Sequence, residues 1–162
     1  MLAPLPIELL ALEKVVAGAV HGVLAAAVLF PLALVVPSTS PDIAFDWPLL
    51  LTLVPLTAVA CSSLGLWFGT AFDPRHVMAT FAIVLTPIMF LGCTLYPWSA
   101  LDSVRWVQVR SLANPLTYVS EGFRAAVTTP HLSLVVIYCM LTALTGLMLW
   151  QGIRQFRRRV VA

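Results

Sequence analysis

Four long apolar runs constrain the fold of this chain more than any other feature of its sequence. They cover residues 15–36, 49–68, 77–96 and 132–150. A helix needs roughly 20 apolar residues to cross the hydrocarbon core of a bilayer, and each run is close to that length. Only 10% of the residues are charged, against about a quarter in soluble domains. The sequence therefore predicts an all-α membrane protein with about four transmembrane helices in a single membrane domain.

The charged residues indicate how these runs are oriented. Several arginines crowd the tail at residues 151–162, whereas the connection at residues 37–47 carries two aspartates and no base. Lys and Arg accumulate on the cytoplasmic side of membrane proteins, so we predict a multi-pass protein of the bacterial inner (cell) membrane with a cytoplasmic C-terminus. Four spans place both ends on that side. The lipid bilayer is thus an expected partner and nucleic acid is not, because basic residues beside a span are an ordinary topology signal.

Residues 1–14 form an amphipathic segment ahead of the first run. Leu9 and Leu12 recur at helical spacing, and Glu8, Glu13 and Lys14 lie among them. This pattern is typical of a short helix lying at the membrane interface. From the residues alone, two interpretations are open: an interfacial helix that docks on a partner protein, and an interfacial helix with no protein partner.

The connection at residues 97–128 never becomes an ordinary hydrophilic loop. It follows Tyr96, Pro97 and Trp98, aromatic residues of the kind that mark a membrane interface. Apolar residues then repeat every three positions, and the sequence from Ser99 to Asp102 fits a capping box. We predict a short amphipathic helix that ends near residue 112.

A second short helix is predicted after Asn114. Asn is a good N-cap and Pro115 suits the first helical position. Glu121 and Arg124 stand three positions apart, so the helix allows them to pair. Two helices of about a dozen residues cannot cross a 30 Å core; they lie on it or re-enter it. A purely structural external cap and a gate for a substrate are both compatible with this pattern.

Chemistry-bearing motifs are absent from the sequence. The only lysine, Lys14, follows Glu13, so there is no phosphate-binding loop of the type that holds ATP. No zinc-protease or serine-hydrolase motif occurs, and we predict no catalytic residue, no metal site and no cofactor in this chain. His21 is the ionisable residue well inside the first run. It is a candidate pathway residue, with a neutral packing histidine as the alternative.

The order of these segments resembles the C-terminal two-thirds of the membrane-spanning permease subunit of the type-2 ATP-binding-cassette (ABC) exporter family. There, a span ends in a Y/F-P turn, two short helices dip back into the outer membrane edge, and an N-P-L-x-Y…E-x-x-R run precedes the last span. The resemblance implies an external re-entrant gate built from these residues: Tyr96, Pro97, Asn114, Pro115, Tyr118, Glu121 and Arg124.

The resemblance also implies partners and a function. The expected function is export of a small amphiphile such as a drug, antibiotic or lipid-like compound. A separate P-loop ATPase subunit would hold ATP and Mg, and a second copy or a homologous permease would complete the pathway. The ATPase would dock on a coupling helix and a cytoplasmic turn, through Glu8, Glu13, Lys14 and Arg75.

One departure from the family pattern leaves an alternative open. Family members usually carry six spans, with two before the coupling helix, so we expect this sequence either to lack those two spans as a fragment or to obtain them from another polypeptide. The alternative function is a non-transporting assembly or regulatory subunit. A secondary transporter is less favoured, because no predicted span contains the Asp or Glu that would carry a coupling proton.

Overall fold

A computed structural model describes residues 7–35, 46–72, 77–127 and 132–161, and the predicted all-α class is confirmed over them. The helices are α1 (Ile7–Val35), α2 (Trp47–Ala71), α3 (Val77–Leu91), a 3₁₀ helix (Trp98–Ser103), α4 (Arg105–Ser111), α5 (Pro115–Ala125) and α6 (Leu134–Val161).

Three of the described helices are long and apolar enough to cross a membrane. They contain candidate spans of 25, 25 and 24 residues, in α1, α2 and α6 respectively. The span predicted at residues 77–96 differs, because α3 ends at Leu91 after 15 residues. At 1.5 Å per residue it is roughly 22 Å long, which is short of a 30 Å core.

The remaining distance is covered by the connection that follows α3. Near its start, α3 lies beside the end of α2, with the Phe68 and Phe81 ring centroids 5.8 Å apart. The end of α5 lies at the start of α2, where the Asp46 N–H donates to the Ala126 carbonyl at 3.0 Å. The chain between these points therefore passes from one end of α2 to the other in several helical pieces.

The first helix is longer than the sequence pattern predicted. α1 is continuous from Ile7 to Val35, so residues 7–14 of the amphipathic segment and the first span form one helix, and residues 1–6 lie outside the described residues. No glycine or proline lies at the predicted boundary between Lys14 and Val15, and nothing there ends the helical hydrogen bonding. Likewise, the basic tail does not form a separate segment, because α6 continues to Val161.

Small residues bring α1 and α2 together. A Cβ added at Gly18 would lie 2.3 Å from the Ser62 Oγ, and one added at Gly22 would lie 3.3 Å from the Ala58 Cβ. The Ser62 hydroxyl also donates to the Val15 carbonyl at 2.8 Å. Close approach of this kind is how small residues at four-residue spacing stabilise helix pairs in membranes.

The buried core lies between α2, α5 and α6. It consists of these five residues: Leu53, Ala60, Tyr118, Ile137 and Leu141. Gly122 lets α5 lie against this core, since a Cβ there would be 2.9 Å from Leu53 Cδ2. The Thr52 hydroxyl of α2 and the Tyr138 phenol of α6 are 2.6 Å apart and hydrogen-bonded. Because α5 packs on this core, the connection is anchored to two spanning helices, α2 and α6.

Candidate functional site

The carbonyl groups at the end of α3 define the candidate site. A helix leaves its last four carbonyls without partners, and an unpaired carbonyl within the hydrocarbon core costs several kcal/mol. Here six consecutive carbonyls each accept a side-chain hydrogen bond: Ile88 from Asn114 (2.6 Å), Met89 from Thr94 (2.7 Å), Phe90 from Tyr96, Leu91 from Thr117 (3.3 Å), Gly92 from Ser120 (2.7 Å) and Cys93 from Arg124 (3.2 Å).

Most of these donors come from one face of α5. Asn114, Thr117, Ser120 and Arg124 follow each other at intervals of three, three and four residues, and residues at such intervals share a helix face. The face therefore forms a polar strip against the end of α3, which we call the capping face. It satisfies carbonyl groups that the hydrogen bonding within α3 leaves without partners.

Asn114 belongs to two helix ends at once. Its Oδ1 accepts the Leu116 N–H at 3.0 Å, which makes it the N-cap of α5, and Pro115 takes the first helical position. Both placements confirm the sequence prediction. Its Nδ2 donates to the Ile88 carbonyl at 2.6 Å. A single side chain therefore fixes where α5 begins and where α3 ends.

A tight turn allows the two helices to meet. Cys93 is fully buried and has a φ of 53°, the left-handed conformation that commonly follows the last residues of a helix. A Cβ on Gly92 would lie 2.7 Å from the Leu116 Cβ and 2.9 Å from the Ile88 carbonyl oxygen. Only glycine fits at this position without displacing α5.

Glu121 and Arg124 form the ion pair that their spacing predicted. Arg124 Nε lies 3.6 Å from Glu121 Oε1. The carboxylate is 1% exposed and also accepts the Trp98 N–H at 2.9 Å. Since Arg124 also donates to the Cys93 carbonyl, the pair joins the turn after α3, the start of the 3₁₀ helix and α5.

The segment from Trp98 to Ser111 differs from the single amphipathic helix that was predicted. It is a 3₁₀ helix followed by α4, and the three-residue apolar repeat matches the 3.0 residues per turn of a 3₁₀ helix. The predicted capping box is wrong: the helix follows Pro97 and makes no side-chain cap bond. Asp102 instead accepts the Gln108 amide at 2.6 Å.

Tyr118 connects α5 to the end of α4. Its phenol donates to the Leu112 carbonyl at 2.7 Å, just after α4 ends. The aromatic ring of Tyr118 lies in the core between α2 and α6, so this residue also anchors α5 to the two spanning helices.

A family model of ABC-2 type transporters matches residues 2–128 of the chain. The chain belongs to the ABC-2 type transporter family. Neither a curated protein nor a solved structure matches it. Membership of the ABC-2 family makes the chain a multi-pass membrane permease subunit, a component that is not itself the catalyst. The family match includes α3 and the whole connection that caps it, through α5.

The other predicted site residues of this ABC-2 subunit lie elsewhere. Glu8, Glu13 and Lys14 are exposed on the first two turns of α1, far along the chain from the capping face. Arg75 lies outside the described residues. His21 is exposed on α1 and its Nδ1 is 2.8 Å from the Ala17 carbonyl. Within the described residues, no three His, Cys, Asp or Glu side chains group as metal ligands would.

Sequence reasoning missed part of the capping face. Thr117 and Ser120 lie between predicted residues, and their hydroxyls bond the Leu91 and Gly92 carbonyls. The signal was present as polar residues three and six positions after Asn114. The sequence alone does not connect these hydroxyls with their acceptors, because the carbonyls that accept their hydrogen bonds lie 26 to 28 residues earlier.

Proposed function

We propose that the chain is the membrane-spanning subunit of an ATP-driven exporter that moves a small amphiphile out of a bacterial cell. ATP and Mg would be held by a separate P-loop ATPase, and a second copy or a homologous permease would complete the pathway. The chain would lie in the inner membrane with its C-terminus in the cytoplasm. Membership of the ABC-2 family and the positive charges at the end of α6 support this proposal.

The observation that carries the gate in this proposal is the capping face of α5. Its hydrogen bonds join α5 to the end of α3, and the opposite side of α5 packs on Leu53 and Ile137 of the spanning helices. The connection therefore follows α2 and α6 when they move. ATP-driven closure would shift the subunit between inward and outward states, and the connection would open and close the exit.

The ATPase would bind at the opposite end of the bundle. We assign the docking surface to the start of α1, where Glu8, Glu13 and Lys14 are exposed. Arg75, which follows α2 in the sequence, would contribute to it. These charged residues would offer the ATPase a polar docking surface next to the membrane.

Affinity purification of the chromosomally tagged protein from membranes tests the assembly. Mass spectrometry should identify a co-purifying P-loop ATPase, and the reconstituted complex should transport a fluorescent amphiphile only with hydrolysable ATP. A complex of the same composition with an ATPase-dead partner is the control. Purification without any ATPase would contradict the exporter and favour a non-transporting assembly or regulatory subunit.

A further inference from the structure

A polar groove lies at the end of the bundle where α1 starts and α6 approaches its end. It measures about 430 Å³ and is lined by Glu8, Trp150, Ile153, Arg154 and Arg157. Arg154 stacks over the Trp150 ring at 5.4 Å. Among the described residues, neither guanidinium lies within 4 Å of a carboxylate. Two arginines therefore face this groove without an anionic partner from the described part of the chain.

An apolar groove of about 450 Å³ begins one turn further along α1. Its wall on α1 extends from Leu12 to Leu24, and Pro55, Val59 and Leu149 complete it from α2 and α6. Leu12 follows Glu8 by four residues and Leu149 precedes Trp150, so the polar and apolar grooves are neighbours on both helices. Together they form one surface with a charged end and a long hydrophobic part.

The length of the apolar groove matches one leaflet of a bilayer. Twelve residues separate Leu12 from Leu24, a rise of about 18 Å along an α-helix. Half of a hydrocarbon core of about 30 Å is roughly 15 Å. The charged end lies at the level where lipid headgroups begin, because Trp side chains and Arg side chains beyond the end of an apolar span are typical of that level.

We propose that these grooves bind a single anionic phospholipid, with its phosphodiester on Arg154 and Arg157 and an acyl chain in the apolar groove. Two guanidinium groups and the Glu8 carboxylate give the polar groove a net charge of about +1, since arginine is always protonated. This charge complements a lipid with one net negative charge better than a zwitterionic lipid. The site depends on the membrane location of the chain and not on the transport function.

Lipid titration of the purified full chain, with any co-purifying subunits, tests the proposal. Phosphatidylglycerol, phosphatidylcholine and glycerol 3-phosphate are added separately in detergent, and bound lipid is counted by native mass spectrometry. We expect one phosphatidylglycerol per chain, bound at least tenfold more tightly than phosphatidylcholine. The double variant R154Q/R157Q should weaken phosphatidylglycerol binding by about 30-fold, because each basic residue near anionic lipid contributes about fivefold.

Matched variants separate this site from general charge effects. R105Q/R110Q removes the same charge from α4 and should leave phosphatidylglycerol binding unchanged. Val20→Trp should obstruct the apolar groove and weaken the lipid while both arginines remain; a native elution volume and helical circular dichroism show that each variant folds. Equal binding of phosphatidylglycerol and phosphatidylcholine, or equal loss in the two arginine pairs, would overturn the proposal. So would glycerol 3-phosphate binding as tightly as the lipid, which would indicate a phosphate site alone.

Discussion

The Glu121 carboxylate accepts the backbone N–H of Trp98 at 2.9 Å, although the two residues are 23 positions apart in the chain. Glu121 lies in the middle of α5, and Trp98 opens the 3₁₀ helix. The bond closes the connection into a loop that contains the turn and both short helices. Because Glu121 is 1% exposed, its charge depends on Arg124 for compensation, and the two residues are not equivalent when one is replaced.

Replacement of Arg124 should cost more stability than replacement of Glu121. R124Q leaves a buried carboxylate without its cation, whereas E121Q leaves a guanidinium that is 28% exposed to solvent. In E121Q, the amide oxygen of the new glutamine side chain still accepts the Trp98 N–H. Removing the partner of a buried charge costs about 3–5 kcal/mol, and we expect this loss for R124Q because Glu121 is 1% exposed. The guanidinium that E121Q leaves is partly exposed, so we expect a loss of about 1 kcal/mol for that variant. Thermal unfolding in detergent measures both.

Export should be lost in both variants while membrane insertion remains intact. The Glu121–Arg124 pair joins the turn after α3 to α5. Without this pair, α5 and the end of α3 would no longer be held together in the proposed gate. Transport by reconstituted complexes and the yield of membrane-inserted protein measure the two effects. Unchanged export in both single variants would contradict a gating role.

The hydroxyl groups on the capping face should stabilise the end of α3. T117V removes the one hydroxyl donor that the Ser111 and Leu91 carbonyls share, at 2.6 and 3.3 Å, and S120A removes the donor to the Gly92 carbonyl. A buried carbonyl that loses its partner costs about 1–3 kcal/mol, so each variant should lower the unfolding temperature.

The matched control for these substitutions is T86V. The Thr86 hydroxyl bonds the Ala82 carbonyl within α3 and is exposed, so its removal leaves the connection untouched. Thermal unfolding of the three variants under the same conditions provides the comparison. A loss in T86V as large as in T117V would show that the hydroxyls act locally and not between helices.

Glycine replacements should separate close contacts from ordinary helix positions. A Cβ at Gly92 or Gly122 would lie within 3.0 Å of atoms of another residue, whereas Gly65 and Gly146 have nothing within 4 Å. Overpacking costs about 1–3 kcal/mol, and G92A should be worse than G122A because it meets a backbone oxygen. G65A and G146A should be neutral or slightly stabilising, since alanine favours helices. Thermal unfolding of the four variants measures these differences in stability. Equal stability of all four would contradict the close contacts at Gly92 and Gly122.

The contact between Gly18 and Ser62 should be revealed by non-additive effects. G18A places a methyl group 2.3 Å from the Ser62 Oγ, and S62A removes that oxygen together with its bond to the Val15 carbonyl. In the double variant the clash with oxygen is gone, so its loss of stability should be smaller than the sum of the two single losses. The three unfolding free energies measure this coupling. Additive losses would show that the two positions do not touch.

Local patterns in the sequence predicted several parts of the site correctly. Asn114 and Pro115 begin α5 as their cap chemistry requires, and Glu121 pairs with Arg124 one turn later. Both depend on residues a few positions apart, where helix geometry alone determines which side chains meet. The predicted capping box failed because Asp102 found a partner six residues away in Gln108, and a tertiary arrangement overrode the local motif.

By itself, the sequence determined that this chain is an all-α membrane protein, because its apolar runs and lack of charge leave no stable place for it in water. It also determined where α5 begins, through Asn114 and Pro115. Only the tertiary structure decided that α3 stops at Leu91 and that a capping face completes it. The physical reason is that carbonyls in an apolar environment require donors, and the donors come from residues 114 to 124, which reach α3 only once α5 packs against α2 and α6.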